Sequence, residues 1–462
     1  MTNPGIPINE TKKTSPFRYG IGMLGTSIPI NMFKSFAAAF YVIQLGLDME
    51  LYSTVLLIYT FVDVIDNPIY GFLSDRTNTK WGRRRPWLLI GTPLMVVCFL
   101  LFFNVPAAIQ SDKSKLYMYM LLTYLLTGTL DSLMNANYGA LFPELFKDDS
   151  QRAKTNAIRQ ISQLVAMAIS IALTPMVAEK IGYNYTSIVY GALALAVLMY
   201  SFTGCHENNV YVSESKPNLI KSIVDLLKNP KFWIYGFAGA FYSAAFSLIS
   251  QALSFYVKYT LGLGGTETTL VLATVLGVAV IGILMWTLIA KKMHLITIWR
   301  IGFLVMFLGF IPLYFADTLG ATIAIASVMG LGIAGALSTM DCISAKIIDD
   351  DYRKHGIRRE GVISSLVGVM NRLNGLYTSL AFFVVARAFG FENGDNPGEN
   401  PAEASRVLLC VFPAIAMLLA VIFSFFLKFK DEDNSAGTAE PNGKGTVADQ
   451  SIATQLDEPI YK

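Results

Sequence analysis

Long apolar runs recur along this chain, each about as long as the roughly 20 residues a helix needs to cross a bilayer. Twelve can be placed between polar breaks, near 18–43, 51–73, 87–104, 116–143, 157–178, 185–204, 232–260, 270–290, 299–316, 320–345, 363–386 and 407–428. Charged residues make up 15% of the 462, against about 25% in soluble domains. That is too few to cover the surface of a soluble enzyme of this length, so the pattern predicts an all-α membrane protein with twelve transmembrane helices.

Basic residues give the orientation. The connections 74–86, 144–156, 205–231, 291–300 and 346–362 hold 20 Lys or Arg, and the alternate ones hold five: Lys113, Lys115, Lys180, Arg387 and Arg406. Positive residues collect on the cytoplasmic side, which predicts both termini there and a multi-pass plasma-membrane protein. The long connection 205–231 divides the spans into bundles at 17–204 and 232–430, flanked by a cytoplasmic segment 1–16 and a tail 431–462. That tail is rich in Asp, Glu, Gly and Thr and reads as disordered. An internal echo supports two halves. Asp148-Asp149 then Arg152 and Arg159 follow the fourth span; Asp349-Asp350-Asp351 then Arg358 and Arg372 follow the tenth. Two six-helix bundles around a central cavity are the major facilitator plan.

Scattered Cys98, Cys205, Cys342 and Cys410 make neither a disulfide framework nor a zinc site. Three histidines leave little for a metal centre, and no Walker sequence appears. No cofactor is expected. The net charge of +3 speaks against nucleic acid, leaving a small-molecule substrate and the lipid bilayer as partners of a chain read as a monomer.

Charges inside the spans carry the functional signal. Lys34, Arg159, Lys258 and Arg372 are the bases, and Asp63, Asp66, Asp131 and Asp341 the acids. Each costs about 2.5–3.5 kcal/mol at mid-membrane and tends to mark a substrate or ion path. Asp63 and Asp66 are three apart, hence on one helix face, and Asn67 joins that face. Two carboxylates and an amide oxygen can hold Na⁺. Two close carboxylates in low dielectric also push one pKa up, which suits a proton. The structural alternative is an ion pair with Lys34. Asp131 with Asn135 at i+4 could complete a cation site, bind a polyol, or make a polar helix contact. Arg159 and Arg372 occupy corresponding spans, five and eleven. An arginine fork there can grip sugar hydroxyls, a carboxylate or a sulfonate; for Arg159 the alternative is a loop salt bridge. Lys258 is placed to snorkel to the interface. Asp341 is read as a partner of Lys346. At the cytoplasmic ends, Arg83, Arg84, Arg85, Arg358 and Arg359 face Asp75, Glu144 and Asp349. They form a candidate gate, although topology alone would also put positive residues there.

The stretch Asp63 to Gly91, DVIDNPIYGFLSDRTNTKWGRRRPWLLIG, resembles the helix 2 to helix 3 signature of the glycoside–pentoside–hexuronide:cation symporters, typified by melibiose permease. Asp349 to Gly361, DDDYRKHGIRREG, and the connection around Phe142-Pro143-Glu144 and Arg152 are similar to two further family loops. The resemblance spans 17–430 and implies a major facilitator fold with cation-driven sugar uptake. The family's first helix-2 carboxylate falls on Asp63, and its Asn-Asp pair appears reversed as Asp66-Asn67. Its helix-4 acid falls on Asn135, its helix-1 acid near Ser27 and its helix-4 aromatic near Gly139. Its helix-5 arginine falls on Arg159, and its helix-11 lysine on Arg372. The cation face is thus present in altered form, and much of the galactoside grip is absent. The run Arg83 to Arg85 is also similar to the sucrose:proton symporters.

The expected function is cation-coupled symport of a sugar, glycoside or sugar acid across a bacterial inner membrane. With asparagine at 135, H⁺ is favoured over Na⁺. A lysolipid or other amphiphile carrier and a non-transporting membrane sensor are the competing readings.

Overall fold

The computed structural model describes residues 14–428 except 78, 80, 147–148, 208–225, 291 and 356–359. Among them the chain is helical, with one isolated bridge between Thr79 and Gly82. The long helices are α1 (Gly22–Ala38), α2 (Met49–Arg76), α3 (Arg85–Phe103), α4 (Lys113–Leu145), α5 (Asp149–Met167) and α6 (Thr174–Thr203). They continue as α7 (Pro230–Tyr259), α8 (Gly265–Ile289), α9 (Leu295–Tyr314), α10 (Leu319–His355), α11 in two pieces (Glu360–Arg372 and Asn374–Phe389) and α12 (Phe412–Phe426).

Local chemistry starts these helices. Proline sits in the first turn of α3, α6, α7 and α12, where its missing N–H costs nothing. Asp112 caps α4 by accepting from the Ser114 and Lys115 amides at 2.9 and 3.2 Å. The fifth run passes through a π-turn at Ala168–Ala172, and the helix breaks at Gly182, whose φ is +80°, between the spans 157–178 and 185–204 read from the sequence.

Seven helices are apolar and long enough to cross a membrane by length and composition: α3, α6, α7, α8, α9, α10 and the Pro401–Phe426 run ending in α12. The other five, α1, α2, α4, α5 and α11, are interrupted or diluted by polar residues. They carry Lys34, Asp63, Asp66, Asp131, Arg159 and Arg372.

Helices α1–α6 pack among themselves, as do α7–α12. The two halves meet tightly at the end opposite the termini, here the distal end. There the Met49 amide donates to the Glu392 carbonyl at 2.6 Å and the Gly394 amide to that of Val42 at 2.8 Å. Ser379 Oγ donates to the Ser53 carbonyl at 2.7 Å, and Arg387 pairs with Glu50 at 2.6 Å. The Thr266 amide donates to Glu179 at 2.8 Å. At the terminal end, ties within the second half include Lys231 to Asp350 at 3.0 Å and Arg300 Nη2 to the Leu427 carbonyl at 2.9 Å. Asn135 and Gly139 on α4 and Asp341 on α10 are exposed there. A Cβ on Gly139 or Gly368 would meet nothing within 4 Å. The space between the halves therefore opens toward the terminal end.

Candidate functional site

Helix α2 carries Asp63 and Asp66 to mid-span, each 6% exposed. An unpaired carboxylate there would be driven to neutralise. Asp63 is instead heavily bonded. Tyr59 donates to its Oδ1 at 3.0 Å from the preceding turn, and Ser132 of α4 at 3.1 Å. Arg372 of α11 pairs with the same oxygen. It also donates to the Asp63 carbonyl at 3.1 Å and to Ser132 Oγ at 3.2 Å, and lies 4.0 Å from Asp66 Oδ1. Gly128 makes the α2–α4 approach possible: a Cβ there would overlap the Tyr59 ring.

A second pair lies beside the first. Lys34 Nζ of α1 donates to Asp131 Oδ2 at 2.9 Å, and Asn135 Nδ2 donates to Oδ1 at 2.5 Å. Asp131 is 3% exposed, while the Lys34 side chain is 44% exposed, which places the ammonium on the water-accessible space between the halves. Lys34 thus pairs with Asp131, not with the helix-2 acids.

Of the residues read from the sequence, Asp63, Asp66, Asp131, Asn135 and Arg372 come together. Arg159 stands apart. Its guanidinium lies over the rings of Phe142, Tyr138 and Tyr19 at 5.1, 5.4 and 6.0 Å. Tyr19 and Tyr138 lock that box by each donating to the other's carbonyl, at 2.5 and 2.8 Å. The side chain of Asn67 lies outside the described residues. Lys258 sits over the Tyr259 ring at 5.1 Å.

Among the described gate arginines, Arg83, Arg84 and Arg85 each have partners in the first half. Arg83 and Arg84 reach Glu144 at 2.6 and 3.4 Å, and Arg84 also bonds Ser74. Arg85 donates to the Phe202 and Thr203 carbonyls, both at 3.2 Å. Asp349 is exposed; Arg358, Arg359 and the Asp75 side chain lie outside the described residues.

Sequence reasoning missed Glu207. It accepts the Arg83, Arg84 and Arg85 amides at 2.7, 3.0 and 2.6 Å, capping α3 from the far end of the half. No local pattern announces a cap so distant.

A profile of the family described as MFS/sugar transport protein matches residues 18–431. The chain belongs to that family. Its members are membrane transporters rather than enzymes. The chain is 24% identical over 394 residues to the isoprimeverose transporter of Lactiplantibacillus pentosus, covering 80% of this chain and 81% of that one. It is 24% identical over 448 residues to the glucuronide carrier protein homolog of Escherichia coli (strain K12), covering 94% and 96%. The fold is shared with a bacterial homolog of the human lysosomal transporter Spinster in an inward-facing, occupied conformation. That match has a TM-score of 0.63 at 14% identity, covering 89% of this chain and 95% of that one.

Proposed function

We propose that this family member is a secondary active transporter coupling a cation to symport of a sugar, glycoside or sugar acid. It works by alternating access at the bacterial inner membrane, with both termini cytoplasmic. One observation carries the reading: two mid-span carboxylates on α2 meet a guanidinium supplied by α11 of the opposite half. Protonating or liganding those carboxylates releases Arg372, and releasing Arg372 loosens one half from the other. Ion binding and the half-to-half contact are then one event, which is what coupling requires. Relatives named for isoprimeverose and glucuronide support a sugar-type substrate.

H⁺ is preferred to Na⁺. A tight Na⁺ site needs several oxygen ligands, and both Asp131 oxygens are already taken by Lys34 and Asn135. Asp63 and Asp66 can instead trade one proton as their burial changes. Uptake into proteoliposomes at fixed pH, with Na⁺ raised from zero to saturating, tests this. Proton coupling gives uptake that follows the pH gradient and ignores Na⁺. Strong Na⁺ stimulation, lost in Asp63→Asn, would overturn the proton preference and keep the site.

An apolar crevice between α7 and α11, bordered by Phe237, Phe241, Met370, Leu373 and Tyr377, favours the amphiphile reading. A transported lysophospholipid competing with sugar uptake would select it.

A further inference from the structure

Hydroxyls inside helices usually turn back to a carbonyl of the preceding turn. Here Thr60, Thr92 and Ser170 do so at 2.7, 2.7 and 2.6 Å, and Ser250 of α7 at 3.0 Å. Ser243 and Ser247 of α7 do not. Ser247 Oγ accepts from Gln251 Nε2 at 3.0 Å and donates to no described group; Ser243 has no hydrogen bond among the described residues. Both are partly buried, between buried Tyr242, Ala244, Ala245 and Leu248.

Ser243, Ser247 and Gln251 follow one another at i, i+4 and i+8, so they share a face. Gln251 fixes its direction: its Oε1 accepts from Tyr52 Oη of the opposite half at 2.6 Å. The two serines lie one and two turns nearer the terminal end, where the halves part. Helix α1, which packs against α7, carries a polar stripe of its own. From Gly25 to Val42 every residue is buried except Ser27, Asn31 and Lys34. These too share a face, and Asn31 Nδ2 has no hydrogen-bond partner among the described residues.

We propose that Ser243 and Ser247, with Asn31 opposite, are the hydroxyl-recognising wall of the substrate site. This rests on the sugar-transport reading above and adds what grips the uncharged part of the molecule. The ligand chemistry is a polyhydroxylated ring. One helical turn separates the serines by about 6 Å of rise, a spacing that suits hydroxyls on opposite edges of a ring. Because Ser247 accepts from Gln251, its own proton is free for a substrate oxygen. The same Gln251 holds Tyr52, so a hydroxyl docked on Ser247 joins a bonded chain that ends at the distal closure.

The test uses purified full-length protein and calorimetric titration with methyl glucoside, methyl galactoside, methyl xyloside and glucuronate. The tightest binder is then compared with its monodeoxy analogues. Ser243→Ala and Ser247→Ala should each weaken the parent sugar roughly 3- to 10-fold, the size of one neutral hydrogen bond. For each variant, one deoxy analogue that the native protein binds more weakly should bind native and variant alike. That is the signature of a removed partner in a double-mutant cycle. Ser250→Ala, whose hydroxyl is turned inward, should bind as native does. Alanine favours helix, and unchanged melting temperatures confirm folding. Variants that bind the parent as native does, or that lose every analogue equally, overturn the wall and leave the Asp63 site standing. A native protein that binds none of the four overturns the sugar reading and the wall together.

Discussion

Replacing Asp63 by asparagine separates charge from shape at the half-to-half contact. The amide oxygen can still accept from Tyr59 and Ser132, now at 3.0 and 3.1 Å. Arg372, whose side chain is 22% exposed, loses its contacting carboxylate and keeps Asp66 at 4.0 Å. Opposite charges 4 Å apart attract by about 4 kcal/mol at an effective dielectric of 20. Removing one partner of a buried pair typically costs about 3–5 kcal/mol, because the remaining charge stays buried. Retained attraction to Asp66 should place Asp63→Asn at about 2–3 kcal/mol of lost stability, below that range. Arg372→Gln should cost a similar amount. The double variant should recover at least about 1.5 kcal/mol relative to the sum, since neither charge is then stranded. Denaturation in detergent measures the cycle, and proteoliposome uptake against a gradient measures coupling. Asp63→Asn should lose accumulation while retaining exchange, and the double variant should regain stability without accumulation. Strictly additive single effects, or accumulation at the native level in Asp63→Asn, would refute the assignment.

Glu207→Ala should destabilise by about 1.5–3 kcal/mol, the worth of hydrogen bonds to a charged group, read as a lower melting temperature with the Asp63 coupling intact. Gly375 packs against Thr60 so closely that a Cβ would overlap its Oγ1. Gly375→Val should therefore pry α11 from α2, and double electron–electron resonance between spin labels at the distal end should report a longer distance. Burial pushes the Cys205 thiol up to about 12, whereas Cys342 is exposed. A maleimide at pH 7 should modify Cys342 well before Cys205, as read by peptide mass spectrometry, because the thiolate is the reactive form.

The apolar runs and the charges within them were legible along the chain: they set the helices and the list of charges that must be neutralised inside them. Burying apolar side chains is non-directional and follows local composition, so runs such as 87–104 announce α3 without knowledge of its neighbours. The spacing of Asp63 and Asp66 likewise put both carboxylates on one helix face. The partners were decided only by tertiary structure. Lys34 pairs with Asp131 rather than with the helix-2 acids, and Arg372 crosses between halves to reach Asp63. Arg159 lies in an aromatic box rather than beside them. Glu207 caps a helix that begins more than a hundred residues earlier. Ser243 and Ser247 looked like ordinary helix serines until their hydroxyls proved not to turn back. Hydrogen bonds and ion pairs act over a few ångströms and in set directions, so their partners follow from how helices are placed in space, which residue spacing along one helix does not contain.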